Sequence, residues 1–291
     1  LSVSVLVLTL VLILILVLMV PIIGFAVFSL NVKNDESKTF NELGVIAGYK
    51  ARQIEQWLEE RRSDAETLAR SRGFIERVQL LQKQDESWQR SIVTDRLNAM
   101  RQAYAYDSTV LLDTEDRPML ATGEMTAIDP HTAKLARKAL ASGNVQMSEL
   151  HQHDGKGHLS FAAPLFSKAD RQPVGTVLMH LDPQTFLFPL VQSWPTDSHS
   201  GETLLVRREG AEVLYLSELK QRKGSALKLR AAIDDPQLAG AIALHSMKAG
   251  RSKGVDYRAA TVLAAWQPIA GTDWQLVAKL DREEAIAPAK A

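Results

Sequence analysis

Residues 109–124 read TVLLDTEDRPMLATGE and residues 203–218 read TLLVRREGAEVLYLSE. Each is an apolar run, a short charged or turn-forming stretch and a second apolar run, the pattern of strand, turn and strand. Each stretch is answered later by a closing strand that ends in Leu-Asp: GTVLMHLD at 175–182 and WQLVAKLD at 274–281. The opening motifs lie 94 residues apart and the closing motifs 99 apart. Two copies of one module explain both offsets, and about 100 residues is enough for a core in each copy.

Within the first copy the order is a strand pair, a helix over 130–142, a strand over 145–153, an Asp154-Gly155 turn, and strands over 158–166 and 173–181. Asp-Gly between alternating residues is a hairpin signal. The second copy repeats the order, with a helix over 234–249 and strands from 254, over 260–268 and over 274–280. Residues 183–200 connect the copies, and FLFPLVQSWP within them reads as a short helix. A helix inserted after the first two of five strands gives an antiparallel sheet, so the fold class is α+β.

The N-terminus is a different physical object. From Leu1 to Val20 there are sixteen Leu, Val or Ile residues, and residues 1–30 contain no Asp, Glu, Lys, Arg or His. A bilayer core needs about 20 apolar residues in a helix. The run extends through Pro21 to Leu30 and lacks a small-residue cleavage site, so it reads as an uncleaved transmembrane anchor over 1–30 and not a signal peptide. No basic residue precedes it, so charge alone does not orient it, and a chain that starts at Leu is read as part of a longer protein. After Asn31, residues Ile54, Trp57, Leu58, Ala65 and Leu68 fall on one stripe of a helix. We expect a long stalk helix over 31–84 that packs on its own domain and meets a twin in a homodimer.

Composition excludes several classes. Thirty-four basic and thirty-four acidic residues give zero net charge, and no basic stripe for nucleic acid is present. Without cysteine there are no disulfides, thiolate metal sites or cysteine nucleophiles. No phosphate loop, zinc helix or nucleophile elbow occurs, so no catalytic residue and no cofactor is assigned. His151, His153 and His158 form one metal-like cluster, with Glu149 or Asp154 to complete it. A zinc site needs four ligands and a supporting shell, and these are read as polar residues at a hairpin tip. His131, His180, His199 and His245 are read as structural or solvated.

The QIEQWLEERRSDAETLA helix after a membrane span, the strand pair that opens each module and the closing GTDWQLVAKLDREEAIAP together resemble the double Cache family, the tandem PAS-like extracytoplasmic sensor domains of bacterial membrane receptors. The resemblance covers residues 34–288. It implies a membrane-distal PAS-like module over 85–195, a membrane-proximal one over 196–291, and residues 31–291 on the periplasmic side of the inner membrane. It also implies a second span and a cytoplasmic output region: a histidine kinase, a diguanylate cyclase or a chemoreceptor signalling region. The small-molecule pocket is then expected in the distal module, lined by Arg101, Tyr104, Tyr106, Asp107, Asp113, Phe161 and Asp182. Carboxylates beside phenols suit an amine or amino acid, whereas Arg101 and Arg137 suit a carboxylate. The Arg, Trp and Tyr of the branch that recognises amino acids have no equivalent in DPHTAKLARKALASG. Asp113 and Asp182 also fit turn or cap positions. Two other readings remain: a periplasmic protein–protein interaction module without a small ligand, and a zinc enzyme built on the histidine cluster.

Overall fold

The computed structural model describes residues 3–83, 87–124, 128–153, 155–246 and 248–287. Helix α1 runs from Val3 to Arg70 without a break. Among the described residues it is the one helix long and apolar enough to cross a membrane, and its apolar side chains from Leu10 to Leu30 are exposed, as those of a lipid-facing helix are. The expected boundary near residue 30 marks a change of composition inside one helix. Beyond it the stripe turns inward, with Leu43, Ala47, Ala51, Ile54, Ala65 and Leu68 all nearly inaccessible.

The chain forms two compact units. The first comprises Arg52–Gln192 together with Tyr215–Leu229. After α1 it adds α2 (Arg72–Lys83) and α3 (Ser87–Ala103), then β1 (Ser108–Leu112), β2 (Pro118–Gly123), α4 (Pro130–Ser142), β3 (Gln146–Met147), β4 (His151–His153), β5 (Lys156–Phe166), β6 (Pro173–Leu181) and the short α5 (Leu187–Gln192). The sheet order is β2-β1-β6-β5-β3, with β4 also paired to β5, and the pairs are antiparallel. Helix α4 forms where the sequence marks it. Asp129 caps the start by accepting from the Thr132 N–H at 2.8 Å, Pro130 opens the first turn, and Gly143 closes the helix in the left-handed region at φ 68°. Its Leu135, Ala136 and Ala139 pack on Val110, Leu112, Ala162 and Leu178 of the sheet. Each fully buried aliphatic side chain here contributes about 1.5–3 kcal/mol.

The strand expected over 145–153 is two short ones. Ser148, between them, donates its N–H to the Ser160 carbonyl at 2.8 Å and accepts the Ser160 N–H on its hydroxyl at 2.9 Å. A side chain thus supplies one of the two bonds that a continuous ladder would make. Asp154, at the tip of the expected hairpin turn, lies outside the described residues.

The second unit gathers α1 as far as Ala51, Ser193–Leu214 and the chain from Arg230 onward. It contains β7 (Glu202–Glu209), β8 (Glu212–Tyr215), β9 (Arg230–Ala232), α6 (Ala239–Ser246), β10 (Gly250–Val255), β11 (Thr261–Pro268), β12 (Trp274–Asp281) and α7 (Arg282–Ala285). Its sheet order is β10-β11-β12-β7-β8-β9. Strand β9 is a sixth strand that the pattern does not reveal, because Arg-Ala-Ala shows no apolar alternation. Helix α6 starts later than residue 234, because Asp235 and Pro236 form a turn in which the Asp235 carboxylate accepts the Gln237 N–H at 2.9 Å. One face of this sheet, through Leu263, Ala265 and Ala278, is covered by Leu43 and Ala47 of α1. The account of α1 as a core helix of its own chain therefore holds along this segment.

Candidate functional site

Side chains alternate between the two faces of a strand, so the register says which residues stand together. Across β1, β6 and β5, Val110 pairs with Leu178 and Leu178 with Ala162, and this apolar row lies under α4. Two residues along the same face, Ser108 pairs with His180 and His180 with Ser160. The apolar row thus gives way to a polar one beside the start of α4. The Ser160 hydroxyl and His180 Nδ1 are 2.8 Å apart, and Ser108 and Ser160 are buried.

Four more histidines extend the row. His151 of β4 pairs in register with His158 of β5, their ring centroids 6.1 Å apart. His131, in the first turn of α4, stacks on His151 at 5.2 Å, and His153 meets His158 edge-on at 6.1 Å. The Asp129 carboxylate stands 3.5 Å from His151 Nε2 while capping α4. The Nε2 atoms of His151 and His158 are buried and have no hydrogen-bond partner among the described residues. Burial pushes the His180 imidazole down to about 4, with the His158 and His151 rings adding to the shift and Asp129 opposing it. Burial, with the His151 and His153 rings, also lowers His158. Among the described residues no group of three or more His, Asp or Glu is disposed to hold a metal ion. Asp154, considered as a zinc ligand, lies outside them.

The second sheet fills the same place differently. Lys279 lies 99 residues after His180 in the matching Leu-Asp strand and pairs with Glu202 of β7 and Ala264 of β11, as His180 does with Ser108 and Ser160. Its ammonium is 3.2 Å from Glu202 and 2.9 Å from Asp256, all three side chains nearly inaccessible. The Tyr257 hydroxyl donates to Glu202 at 3.0 Å, and Arg258 pairs with Asp256 and Asp281. Ion pairs supplied by the chain occupy the position where the first sheet offers imidazoles and hydroxyls.

The residues singled out in the sequence are not gathered at one place. Tyr104 lines an open groove of about 440 Å³ with Trp57, Arg61 and Phe186. Tyr106 is buried and donates to Asp64 at 3.4 Å; burial raises both of these groups, and Arg61 sits over both tyrosine rings. Arg101 donates to Asn98, and Arg137 pairs with Asp116 at 2.9 Å. Asp113 accepts from the Glu115 and Arg117 N–H groups and pairs with the Arg117 side chain, which holds its carboxyl below the usual range despite the opposing effect of burial. Asp182 accepts the Gln184 N–H at 2.8 Å. Both aspartates thus act at turns, one of the two roles their positions allow. Phe161 is fully buried, its register partner Met179 placing it on the sheet face away from the polar row. Asp107 is exposed just before β1 and close enough to act on the charge of His158. The polar row instead contains His180 and His131, which the sequence reads as structural or solvated, with Ser108 and Ser160. The signal for His180 was available in the repeat, since HLD at 180–182 stands where KLD stands at 279–281.

Two outcomes follow from this geometry. His180 has a lower pKa folded than unfolded, so the unfolded chain binds more protons and stability is lost as pH falls from about 6.5 toward 4. Urea denaturation of the chain in detergent is expected to show a loss of about 2 kcal/mol from this group between pH 7.5 and 5, and His180→Asn, which cannot titrate but still accepts from Ser160, removes that loss. In the second sheet Lys279→Met leaves Glu202 and Asp256 buried beside a thioether. The expected cost is about 3 kcal/mol, read as a lower urea midpoint at constant slope; a change below about 1 kcal/mol contradicts the role given to the lysine.

No protein-family model and no curated protein matches the chain. Solved structures do. The extracellular domain of mmHK1S-Z2, a candidate histidine kinase, superposes with a TM-score of 0.62 at 13% identity over 84% of this chain and 98% of that one. The ligand-binding domain of the Pseudomonas aeruginosa chemoreceptor PctB in complex with L-arginine gives 0.57 at 19% identity over 86% and 98%. The ligand-binding domain of Mlp24 with asparagine gives 0.59 at 13% identity over 91% and 99%. The chain has the fold of these extracellular sensor domains, the double Cache arrangement that its sequence resembles.

Proposed function

We propose that this chain is the extracytoplasmic sensing part of a membrane receptor, anchored by the apolar stretch of α1 and binding a small polar molecule at the Ser108–His180–Ser160 row of its first module. The observation that carries this reading is the contrast at one register position: an imidazole between two hydroxyl residues in one sheet, with the buried Nε2 of His158 on the same face lacking a hydrogen-bond partner among the described residues, and self-supplied ion pairs in the other. Buried polar atoms without partners cost free energy that a bound ligand recovers, and a site with few convergent polar groups over an apolar floor is the usual form of a small-molecule pocket. The bound amino acids of PctB and Mlp24 support a small polar ligand.

The division into an anchor, a stalk, a distal sensing module and a proximal module belongs to the same proposal, as do the inner-membrane location and an output region of the kinase, cyclase or chemoreceptor type. A ligand that prefers one arrangement of α1 shifts its population, and coupling of about 1–3 kcal/mol is enough to signal. A homodimer through the stalk belongs to the same proposal.

A second reading has its own observation. In the second unit, Leu43, Val45, Ile46, Trp194, Pro195 and Leu280 line a mainly apolar groove of about 670 Å³, a surface suited to a protein partner. Thermal unfolding of the chain in detergent against amino acids, organic acids, amines and sugars separates the two. A ligand at 100 times its dissociation constant stabilises the folded state by about 2.7 kcal/mol. The sensing reading predicts a hit that is lost in His180→Leu and kept in Trp194→Ala; a flat screen, or a hit lost only in Trp194→Ala, contradicts it.

A further inference from the structure

We propose that the groove of the second unit, beside the part of α1 that follows its apolar stretch, takes a small amphipathic cation: a protonated amine on an apolar body. The groove holds about 670 Å³, the size of a small-molecule site. Its apolar walls are Leu43, Val45 and Ile46 of α1, Trp194 and Pro195 of the connector, and Leu280 of β12. Val45 is 71% exposed, although Leu43 and Ala47 beside it are buried. The indole of Trp194 is held in place. Its Nε1–H donates to Thr196 Oγ1 at 3.1 Å, and the ring lies so close to the Gly201 backbone that a Cβ there would collide with it. An aromatic wall fixed in this way binds a ligand without first having to be ordered.

Charge decides what the apolar body carries. Asp35, Glu42 and Asp197 line the same groove, and among the described residues none of their side chains has a hydrogen-bond or ion-pair partner. Burial opposes ionisation of Glu284, a fourth lining carboxylate, yet bonds from Ser198 and Ser200 hold it below the usual range. Lys38 is the one cation among the described lining residues. The cations just outside are engaged: Lys253 and Arg282 with Glu36 at 3.0 and 2.6 Å, and Arg251 with Asn41 at 2.9 Å. The rim is therefore negative, which attracts a cation and repels an anion of the same shape. Position favours the same ligand. At a rise of 1.5 Å per residue, Asp35 and Val45 lie about 8 and 23 Å along α1 beyond Leu30. Amphipathic cations collect at a bilayer surface, and the apolar stretch of α1 brings that surface next to the groove. The histidine row takes no part in this, and the groove serves a small molecule here where the second reading above gives it to a protein.

Three probes that share one body and differ in charge test this: 3-phenylpropylamine, 3-phenylpropan-1-ol and 3-phenylpropanoate. The whole chain is titrated calorimetrically in phosphatidylcholine nanodiscs at pH 7.5, with empty nanodiscs as the blank. The amine is expected to bind about tenfold more tightly than the alcohol and the acid more weakly than either, with the gap between amine and alcohol narrowing as salt is raised. Glu42→Gln together with Asp197→Asn, both at exposed positions, is expected to weaken the amine about tenfold and to leave the alcohol within about twofold. Trp194→Ala weakens both. Equal binding of the three probes overturns the proposal, and so does amine binding that survives all three substitutions. Absence of amine binding by the unaltered chain also overturns it and leaves the groove to a protein or to a second copy of this chain.

Discussion

An imidazole at position 180 and an ammonium at position 279 occupy the same register position in two copies of one sheet, and much of what distinguishes the copies depends on that difference. A buried lysine is stable only with its charge matched, and Glu202 and Asp256 match it at hydrogen-bond distance. The place is then occupied by the chain itself. An imidazole has no such requirement, because it can give up its charge. Ser160 bonds its Nδ1, and its neutral state lets further histidines and small hydroxyl residues share the same face. A single choice at one position thus separates a sheet face filled by ion pairs from one lined by hydroxyls and imidazoles.

The rest of the first module holds that face in place. Helix α4 is fixed at one end by Asp129 and Pro130 and at the other by Gly143, and its small residues allow close approach to Val110, Ala162 and Leu178. The cap of this helix is also the carboxylate beside His151, so the group that starts α4 shapes the electrostatics of the polar row. Helix α1 contributes side chains to the cores of both units from one uninterrupted helix that begins in the apolar stretch.

Much of this was legible in the sequence. The repeat, the closing Leu-Asp strands, α4 with its caps and the apolar stripe of α1 all rest on local pattern, and the structure places them close to where the pattern does. Strand β9 and the interruption at Ser148 were not legible, because a three-residue edge strand has no periodicity and a side-chain bond that replaces a ladder bond has no composition signal. The site was the least legible part. Aromatic and acidic residues near strand ends drew attention, yet Tyr106 and Asp113 spend their polar groups on Asp64 and Arg117. The histidines of the polar row come from α4, β4, β5 and β6, and antiparallel pairing assembles them. Aligning the two modules on HLD and KLD exposes His180 as the position to watch, which a search for short motifs within one module does not.

The most direct test of the account is a crystal structure of the chain with a small polar ligand returned by the thermal screen, taken beside a ligand-free crystal grown under the same conditions. The account predicts ligand density within hydrogen-bond distance of His158 Nε2, over the Ser108–His180–Ser160 row, with the Lys279–Glu202–Asp256 cluster unchanged. Density seated instead against Lys279 in the second module, or in the Trp194 groove with the histidine row empty, contradicts it.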